Sequence, residues 1–319
     1  MENKYEFFSL EDLVKDGKDL KMKINTSFET IESLVDSLKN EVKKLNPSSL
    51  FLETVCYDLI SRLPLPLHKY DDTFVLRARE NISNLFTTKS EISYNSTKPE
   101  VISLGRFNRA NEAMFYCTAP ISGPNVNGAL TTITETCKEI FDEESNWQHK
   151  SFTIGKWIVQ KHIKLVALAF FDEALKKSVH MRNIIYHFDQ FLDSAFNEED
   201  QVKCRMFYGY FSQCAGKVND TDSNYLLTNA FYFAIRKYYG EETGILYSSA
   251  TTENHGINIV LTKEIVDSGY LKLDAVVLYE IIKSSSNFYN ISCMPLMQSL
   301  VDQNGNFELK NIIDQSLIT

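Results

Sequence analysis

Residues 152–170 read FTIGKWIVQKHIKLVALAF. Two β-rich runs lie inside this stretch, Phe152–Val159 and Lys164–Phe170, with Gln160-Lys161-His162-Ile163 between them. Three runs at helical spacing follow, His180–Phe196, Gln201–Ala215 and Asn224–Tyr239. Two more apolar runs of strand length come next, Gly244–Ser248 and Ile257–Leu261. Upstream, Phe74–Arg77 and Ala113–Thr118 read as strands and Thr131–Phe141 as a helix. Strands and helices mix without a regular strand–helix–strand alternation. That favours an α+β fold with a mixed sheet core and flanking helices over a doubly wound parallel sheet.

The chain outside this region divides into two parts. Residues 1–66 read as a helical region. Leu10-Glu11-Asp12-Leu13-Val14 is a short apolar patch, and Thr26-Ser27 can cap a helix over Phe28–Leu45. In that helix Phe28, Ile31, Leu34, Val35, Leu38, Val42 and Leu45 recur on one face, with acidic residues early and Lys39, Lys43 and Lys44 late, as the helix dipole favours. Asn46-Pro47-Ser48-Ser49 ends it and opens a second helix, Leu50–Leu63. Pro64 and Pro66 break regular structure and mark a boundary. Residues 67–265 form the expected main domain. Residues 266–319 are expected to pack on it as an extension, with an apolar helix or strand pair around Ala275–Ile282 and a polar end.

Composition narrows the function classes. The chain has 319 residues, 44% of them hydrophobic, enough to bury a sizeable core. With 12 Gly and 7 Pro it is poor in both, which excludes collagen-like and linker-like readings. The formal net charge of −9 disfavours a broad nucleic-acid-binding surface. The most apolar run, LVALAFF at 165–171, is far short of the roughly 20 residues needed to span a bilayer. The charged start MENKYEFFSLEDL lacks a signal-peptide core, so a cytoplasmic protein is expected. The six Cys at 56, 117, 137, 204, 214 and 293 form no C-x-x-C pair and read as reduced thiols. Neither a dinucleotide fingerprint nor a P-loop is present, and the six His show no metal-ligand spacing.

What remains is a set of polar residues beside apolar strands: Arg77 and Arg79, then Gly105-Arg106-Phe107-Asn108, Tyr116, Glu135, and Gly244-Ile245-Leu246-Tyr247-Ser248-Ser249. Arginines clustered in an acidic protein suggest an anionic ligand, because the guanidinium fork fits phosphate or carboxylate. Each residue also has an ordinary reading. An Arg can pair with one of the many carboxylates, Tyr116 can be plain core, Glu135 can be solvated and Ser249 can be a turn residue.

The order of these segments resembles the RES-domain family, named for its Arg, Glu and Ser. That family is similar in fold to ADP-ribosyltransferases and diphtheria-toxin-type NAD-cleaving enzymes. Leu76-Arg77-Ala78-Arg79 looks like its Tyr-Arg-x-Arg strand, and Gly105-Arg106-Phe107-Asn108 like its Gly-Arg-[aromatic]-Asn turn. Phe115-Tyr116 looks like its Leu-Tyr strand and Thr132-Ile133-Thr134-Glu135 like its Ala-x-x-Glu helix. Tyr225-Leu226-Leu227-Thr228-Asn229 resembles a Tyr-x-x-Thr-Gln helix, and Gly244–Ser249 the last block. The resemblance runs from about Phe74 to Leu261. It departs from the family pattern at Leu76, at Asn229, and at Ala110-Asn111-Glu112, where a glycine is usual.

The resemblance implies an enzyme that consumes NAD by cleaving its nicotinamide–ribose bond. Glu135 would stabilise the cationic sugar, with Glu139 as the alternative carboxylate. Arg77 and Arg106 would hold the pyrophosphate, with Arg79 in a weaker role. Tyr116 would stack on nicotinamide. Tyr247 and Ser249 would bind NAD, Ser249 holding the ribose or amide, and Asn108 and His255 would lie nearby. NAD is a substrate here, and neither a cofactor nor a metal is required. Phosphate, water or a protein side chain could be the acceptor, which separates NAD phosphorylase, NAD glycohydrolase and protein ADP-ribosyltransferase. A catalytically silent NAD-binding module is the remaining alternative. Such a toxin or defence effector is commonly paired with an antitoxin. The expected partners are NAD, inorganic phosphate, an antitoxin or immunity protein and a second copy of the chain; nucleic acid and membrane are not expected. The N-terminal helices would gate the cleft or bind a partner.

Overall fold

A computed structural model describes residues 6–7, 26–63, 67–70, 73–123, 126–141, 145–217, 222–283 and 291–312. The strands are β1 (Glu6–Phe7), β2 (Leu67–Tyr70), β3 (Phe74–Glu80), β4 (Phe115–Thr118), β5 (Ser122–Gly123), β6 (Val126–Asn127), β7 (His149–Val159), β8 (Ile163–Leu168), β9 (Thr243–Ser248), β10 (Ile257–Leu261), β11 (Leu271–Lys283), β12 (Ile291–Leu300) and β13 (Lys310–Asn311). The helices are α1 (Phe28–Glu41), α2 (Ser49–Arg62), α3 (Lys89–Ile92), α4 (Gly128–Thr136), α5 (Asp172–Lys177), α6 (Val179–Ala195), α7 (Glu198–Gly216), α8 (Asp222–Tyr239) and α9 (Lys263–Asp267). The fold is α+β, as the sequence leads one to expect.

One mixed sheet runs in the order β1-β2-β8-β9-β10-β4-β3-β7-β11-β12-β13. Among the described residues only β8 and β9 pair in parallel; the other ladders are antiparallel. All residues of β9 and of β10 are buried, the mark of strands covered on both faces. Alternate residues of β8 supply opposite faces. Val166 and Leu168 join a core with α1, α2, α7 and α8, while Leu165 and Ala167 face Met181 and Ile184 of α6 and Ile265 of α9. The first core is rich in aromatics, with Phe211 of α7 stacked on Phe231 of α8 at 3.9 Å between ring centroids.

The N-terminal helices belong to this packing. Ile31, Val35 and Leu38 of α1 and Leu52, Val55 and Leu59 of α2 lie in the same core as Phe207 and Phe231. Ser27 and Ser48 cap α1 and α2 through their side chains. The first helix is shorter than the periodicity suggests and ends at Glu41. That carboxylate is buried and accepts the Ser48 amide N–H at 2.8 Å, which folds the chain back into α2 and leaves Leu45 in solvent. The expected helix Thr131–Phe141 is also corrected. Helix α4 starts at Gly128, capped by Asn127, and stops at Thr136; Lys138–Phe141 is a separate 3-10 turn. Of the two readings of Ala275–Ile282 the structure takes the strand. Strand β11 pairs with β7 from Leu271 to Ile282 and with β12 on its other side. The patch at Leu10–Val14, the prolines at 64 and 66, and residues 313–319 lie outside the described residues.

Candidate functional site

Strands β3 and β4 pair at one position only, Leu76 opposite Thr118, although each continues along other neighbours. Beyond that position the Arg77 side chain takes over part of the hydrogen bonding. It donates from Nη1 to the Tyr116 carbonyl at 2.6 Å, from Nη2 to the Ser93 carbonyl at 3.2 Å and from Nε to the Ile92 carbonyl at 3.3 Å. Its guanidinium also lies over the Phe115 ring at 5.0 Å. Burial, with Arg79 as a smaller cause, pushes its pKa down to about 10, which still leaves it charged near neutrality. Two of its five N–H groups take no partner among the described residues.

The site opens around this divergence. Strands β3, β4, β9 and β10, helices α4 and α8 and residues 103–108 enclose a cavity of about 650 Å3. Arg77, Arg79, Arg106, Asn108, Tyr116, Glu135 and Tyr247 all line it. These residues come from five separate segments of the sequence, so only the fold brings them together. A volume in this range suits a small-molecule ligand of drug size.

The turn carrying Arg106 is held from several sides. The Gly105 N–H donates to the Asn108 carbonyl at 3.1 Å, and a Cβ on Gly105 would sit 2.2 Å from Asn108 Oδ1. The Tyr116 hydroxyl accepts the Phe107 N–H at 2.9 Å and donates to Asn108 Oδ1 at 3.0 Å. From α8, Asn229 Nδ2 donates to the Gly105 carbonyl at 2.6 Å, and Thr228 donates to the Arg106 carbonyl. Two sequence blocks separated by over a hundred residues thus form one unit. Just beyond it, in the segment without the expected glycine, Asn111 takes φ +66°. Asparagine tolerates this left-handed conformation better than most side chains do.

Glu135 sits at the end of α4. Its Oε1 accepts hydrogen bonds from Ser249 Oγ at 2.6 Å and from Thr251 Oγ1 at 2.8 Å. Ser249 is fully buried and also caps the 3-10 turn Ala250–Thr252, accepting from the Thr252 N–H. Ser249 therefore stands behind the carboxylate and outside the cavity lining. The second carboxylate oxygen, Oε2, takes no hydrogen bond among the described residues. Glu139, the alternative carboxylate, is not at the site. Its side chain is 66% exposed and lies 3.5 Å from Lys150. His255 does not line the cavity either; it lies on the loop between β9 and β10, where its backbone N–H donates to the Thr252 carbonyl.

Four of the arginines outside the cavity are ion-paired; Arg182, which donates to the Leu175 carbonyl, has no carboxylate at ion-pair distance among the described residues. Arg62 pairs with Asp58 at 2.9 Å, Arg236 with Glu112 at 2.7 Å, Arg109 with Glu53 and Arg205 with Asp189. Arg77, Arg79 and Arg106 have no carboxylate at ion-pair distance among the described residues. Arg79 instead donates to the Glu91 carbonyl at 2.8 Å, and the Arg106 guanidinium lies 5.5 Å from the centre of the Tyr247 ring and donates to the Ala215 carbonyl. Burial raises the phenol pKa of Tyr116 and of Tyr247, so both act as neutral hydroxyls. Glu135 adds to the rise at Tyr247. The arrangement therefore offers cations for an anionic ligand, aromatic surface for a planar group, and the Glu135 carboxylate beside them; the second carboxylate of the lining, Glu80, is paired with Lys150 at 2.7 Å.

Some cavity residues were not singled out as site residues in the sequence. Tyr225, in the lining, belongs to the Tyr-x-x-Thr block of α8; Thr251, behind the lining on Glu135, belongs to the hydroxyl-rich run after Ser248. Asn258 was signalled only as the one amide in the apolar run INIVL. No helix among the described residues is long and apolar enough to cross a membrane. No cluster of three or more metal-ligating side chains occurs among them. No protein-family model matches the chain, and no curated protein matches it in sequence.

Proposed function

We propose that the chain is an NAD-consuming enzyme of the RES-domain type, with phosphate or water as acceptor. The observation that carries this reading is Glu135. It is held through one oxygen by Ser249 and Thr251 and lines a cavity whose three arginines have no carboxylate at ion-pair distance among the described residues. The order of blocks from Leu76 to Ser249 supports the same reading.

In the reaction the bond between the pyridinium nitrogen and the ribose C1′ breaks. Its electron pair leaves with nicotinamide, which becomes neutral, and positive charge develops on the sugar. The Glu135 carboxylate stabilises that charge and takes a ribose hydroxyl on Oε2. Arg77, Arg79 and Arg106 hold the pyrophosphate, and Tyr116 and Tyr247 supply the walls of the nicotinamide pocket. An oxygen of phosphate then bonds to C1′ to give ADP-ribose 1-phosphate. Water in its place gives ADP-ribose and a proton. A cytoplasmic NAD pool and an antitoxin or immunity protein that covers the cavity belong to the same proposal.

The test is NAD turnover by the purified wild-type protein and by Glu135→Gln. Turnover that falls at least about 100-fold, with NAD binding and the melting temperature retained, supports the assignment. Full activity in the variant overturns it. Label transferred from NAD to protein instead of to free ADP-ribose species moves the chain to the ADP-ribosyltransferases.

A further inference from the structure

The floor of the cavity holds a side chain that neither the fold nor the steps above use. Asn258 is 3% exposed, and neither Nδ2 nor Oδ1 of its amide has a hydrogen-bond partner among the described residues. A buried amide left unpaired is unfavourable, and an apolar residue of similar size would fit strand β10 better. The rest of that strand, Ile257, Ile259, Val260 and Leu261, is apolar. The Tyr247 hydroxyl lies close enough to interact with the amide but is not in hydrogen-bonding geometry with it.

Register places Asn258 among the other groups of the site. It lies opposite Tyr247 on β9 and opposite Thr118 on β4, so the three form one row across the sheet and share its cavity side. Tyr116, two residues before Thr118, projects to the same face. The unpaired amide is thus flanked by two aromatic side chains.

An unpaired primary amide presents a donor and an acceptor side by side. A carboxylate satisfies only the donor and repels Oδ1, and one hydroxyl satisfies one atom at a time. A planar group with an adjacent N–H and carbonyl satisfies both at once. We propose that Asn258 is the specificity residue of the cavity and recognises the primary carboxamide of the ligand. In this pairing Asn258 Nδ2 donates to the ligand carbonyl and Oδ1 accepts a ligand N–H. The inference rests on the NAD reading, in which that carboxamide is nicotinamide's. An adenine edge offers a similar donor–acceptor pair and is the competing source of the same chemistry.

The test measures binding of three dinucleotides by calorimetry to the full chain. They are NAD, its nicotinic acid analogue, in which carboxylate replaces the amide, and its hypoxanthine analogue, in which the adenine edge is altered. Wild-type protein is expected to prefer NAD over the nicotinic acid form. Asn258→Leu is expected to weaken NAD binding about 10- to 100-fold and to collapse that preference, while the NAD-to-hypoxanthine ratio stays unchanged. Its melting temperature is expected to equal or exceed the wild-type value, because an unpaired amide has been removed; Asn258→Asp, folded and discriminating against the acid form, serves if the leucine variant fails to fold. An unchanged preference in Asn258→Leu overturns the proposal. A change confined to the hypoxanthine ratio overturns it in favour of the adenine edge. Wild-type protein that binds none of the three overturns the NAD reading itself.

Discussion

At the residue scale, the site turns on how a few polar groups are held. Glu135 shows the pattern. One oxygen is fixed by two hydroxyls and the other takes no hydrogen bond among the described residues. Thr251 contributes one of these bonds, contacts Ser249 at 3.1 Å and lies 3.3 Å from Thr134 Oγ1, so it positions the carboxylate without lining the cavity. Removing its hydroxyl in Thr251→Val is expected to lower kcat about 10-fold and leave KM nearly unchanged. Thr251→Ser is expected to restore most of the rate. Steady-state kinetics on both variants check this, and equal loss in the two would make the role merely structural. The residue types at this scale were legible in the sequence; their pairing was not. No spacing tells that Arg109 meets Glu53 while Arg106, three residues away, meets no carboxylate. That difference is set by which way each side chain leaves the 105–109 turn.

At the scale of elements, the central strands were legible because they are continuous apolar runs. Ile257–Leu261 matches its strand residue for residue. Others were not. Strand β2 is four residues, LHKY, too short and too polar to announce itself, and its burial comes from pairing with β8. Strand β12 contains Pro295 and bulges beside it, with Leu296 the extra residue opposite the step from Leu278 to Tyr279 of β11. The break after Thr136 was hidden because Cys137–Phe141 keeps a helical apolar spacing. The coupling of α8 to the Gly105–Arg106 turn is the element-level feature with most functional weight. Asn229→Ala removes the bonds to the Gly105 and Tyr225 carbonyls. It is expected to cost about 1–3 kcal/mol of stability and to weaken binding of the anionic ligand through displacement of Arg106. Thermal melts and NAD titration check the two effects together; a stability loss with unchanged affinity would show that the turn holds its shape without α8.

At the scale of the whole molecule, the buried thiols and phenols set the response to alkali. All six cysteines are free, four of them buried. Burial pushes the Cys204 thiol up to about 12 and the Cys214 and Cys293 thiols up to about 11. Tyr94 and Tyr270 rise to about 12, chiefly through burial and then through bonds to Asp267 and Glu242. In each case the folded pKa is raised above the unfolded one. The unfolded chain therefore loses its protons first as pH rises, near 9 for the thiols and 10 for the phenols. The stability these groups contribute is complete below about pH 9 and is lost progressively through pH 11–12. Arg77 acts in the opposite sense, since its folded value falls to about 10, but it is one group against several. Melting temperature measured from pH 7 to 11 is expected to be level at first and to fall steeply above pH 9. A level curve to pH 11 would contradict the burial of these groups.

The N-terminal helices bear on the same scale. Their apolar faces are spent on the core with α7 and α8, and the cavity lining draws on no residue before Arg77. They therefore support α8, and through it the turn of Arg106, without forming part of the cavity wall. The α+β class was legible from the lack of strand–helix alternation. The closing of the sheet by β11 was only half legible, because Ala275–Ile282 suits a buried helix as well as a strand.

The central claim is that Glu135 and the arginines around it cleave the nicotinamide–ribose bond. Proton NMR of the purified chain with NAD, in the presence and absence of phosphate, measures this directly. Nicotinamide released by wild-type protein and not by Glu135→Gln is the expected result, and dependence of the second product on phosphate identifies the acceptor. NAD left intact by the wild-type protein under both conditions would contradict the claim.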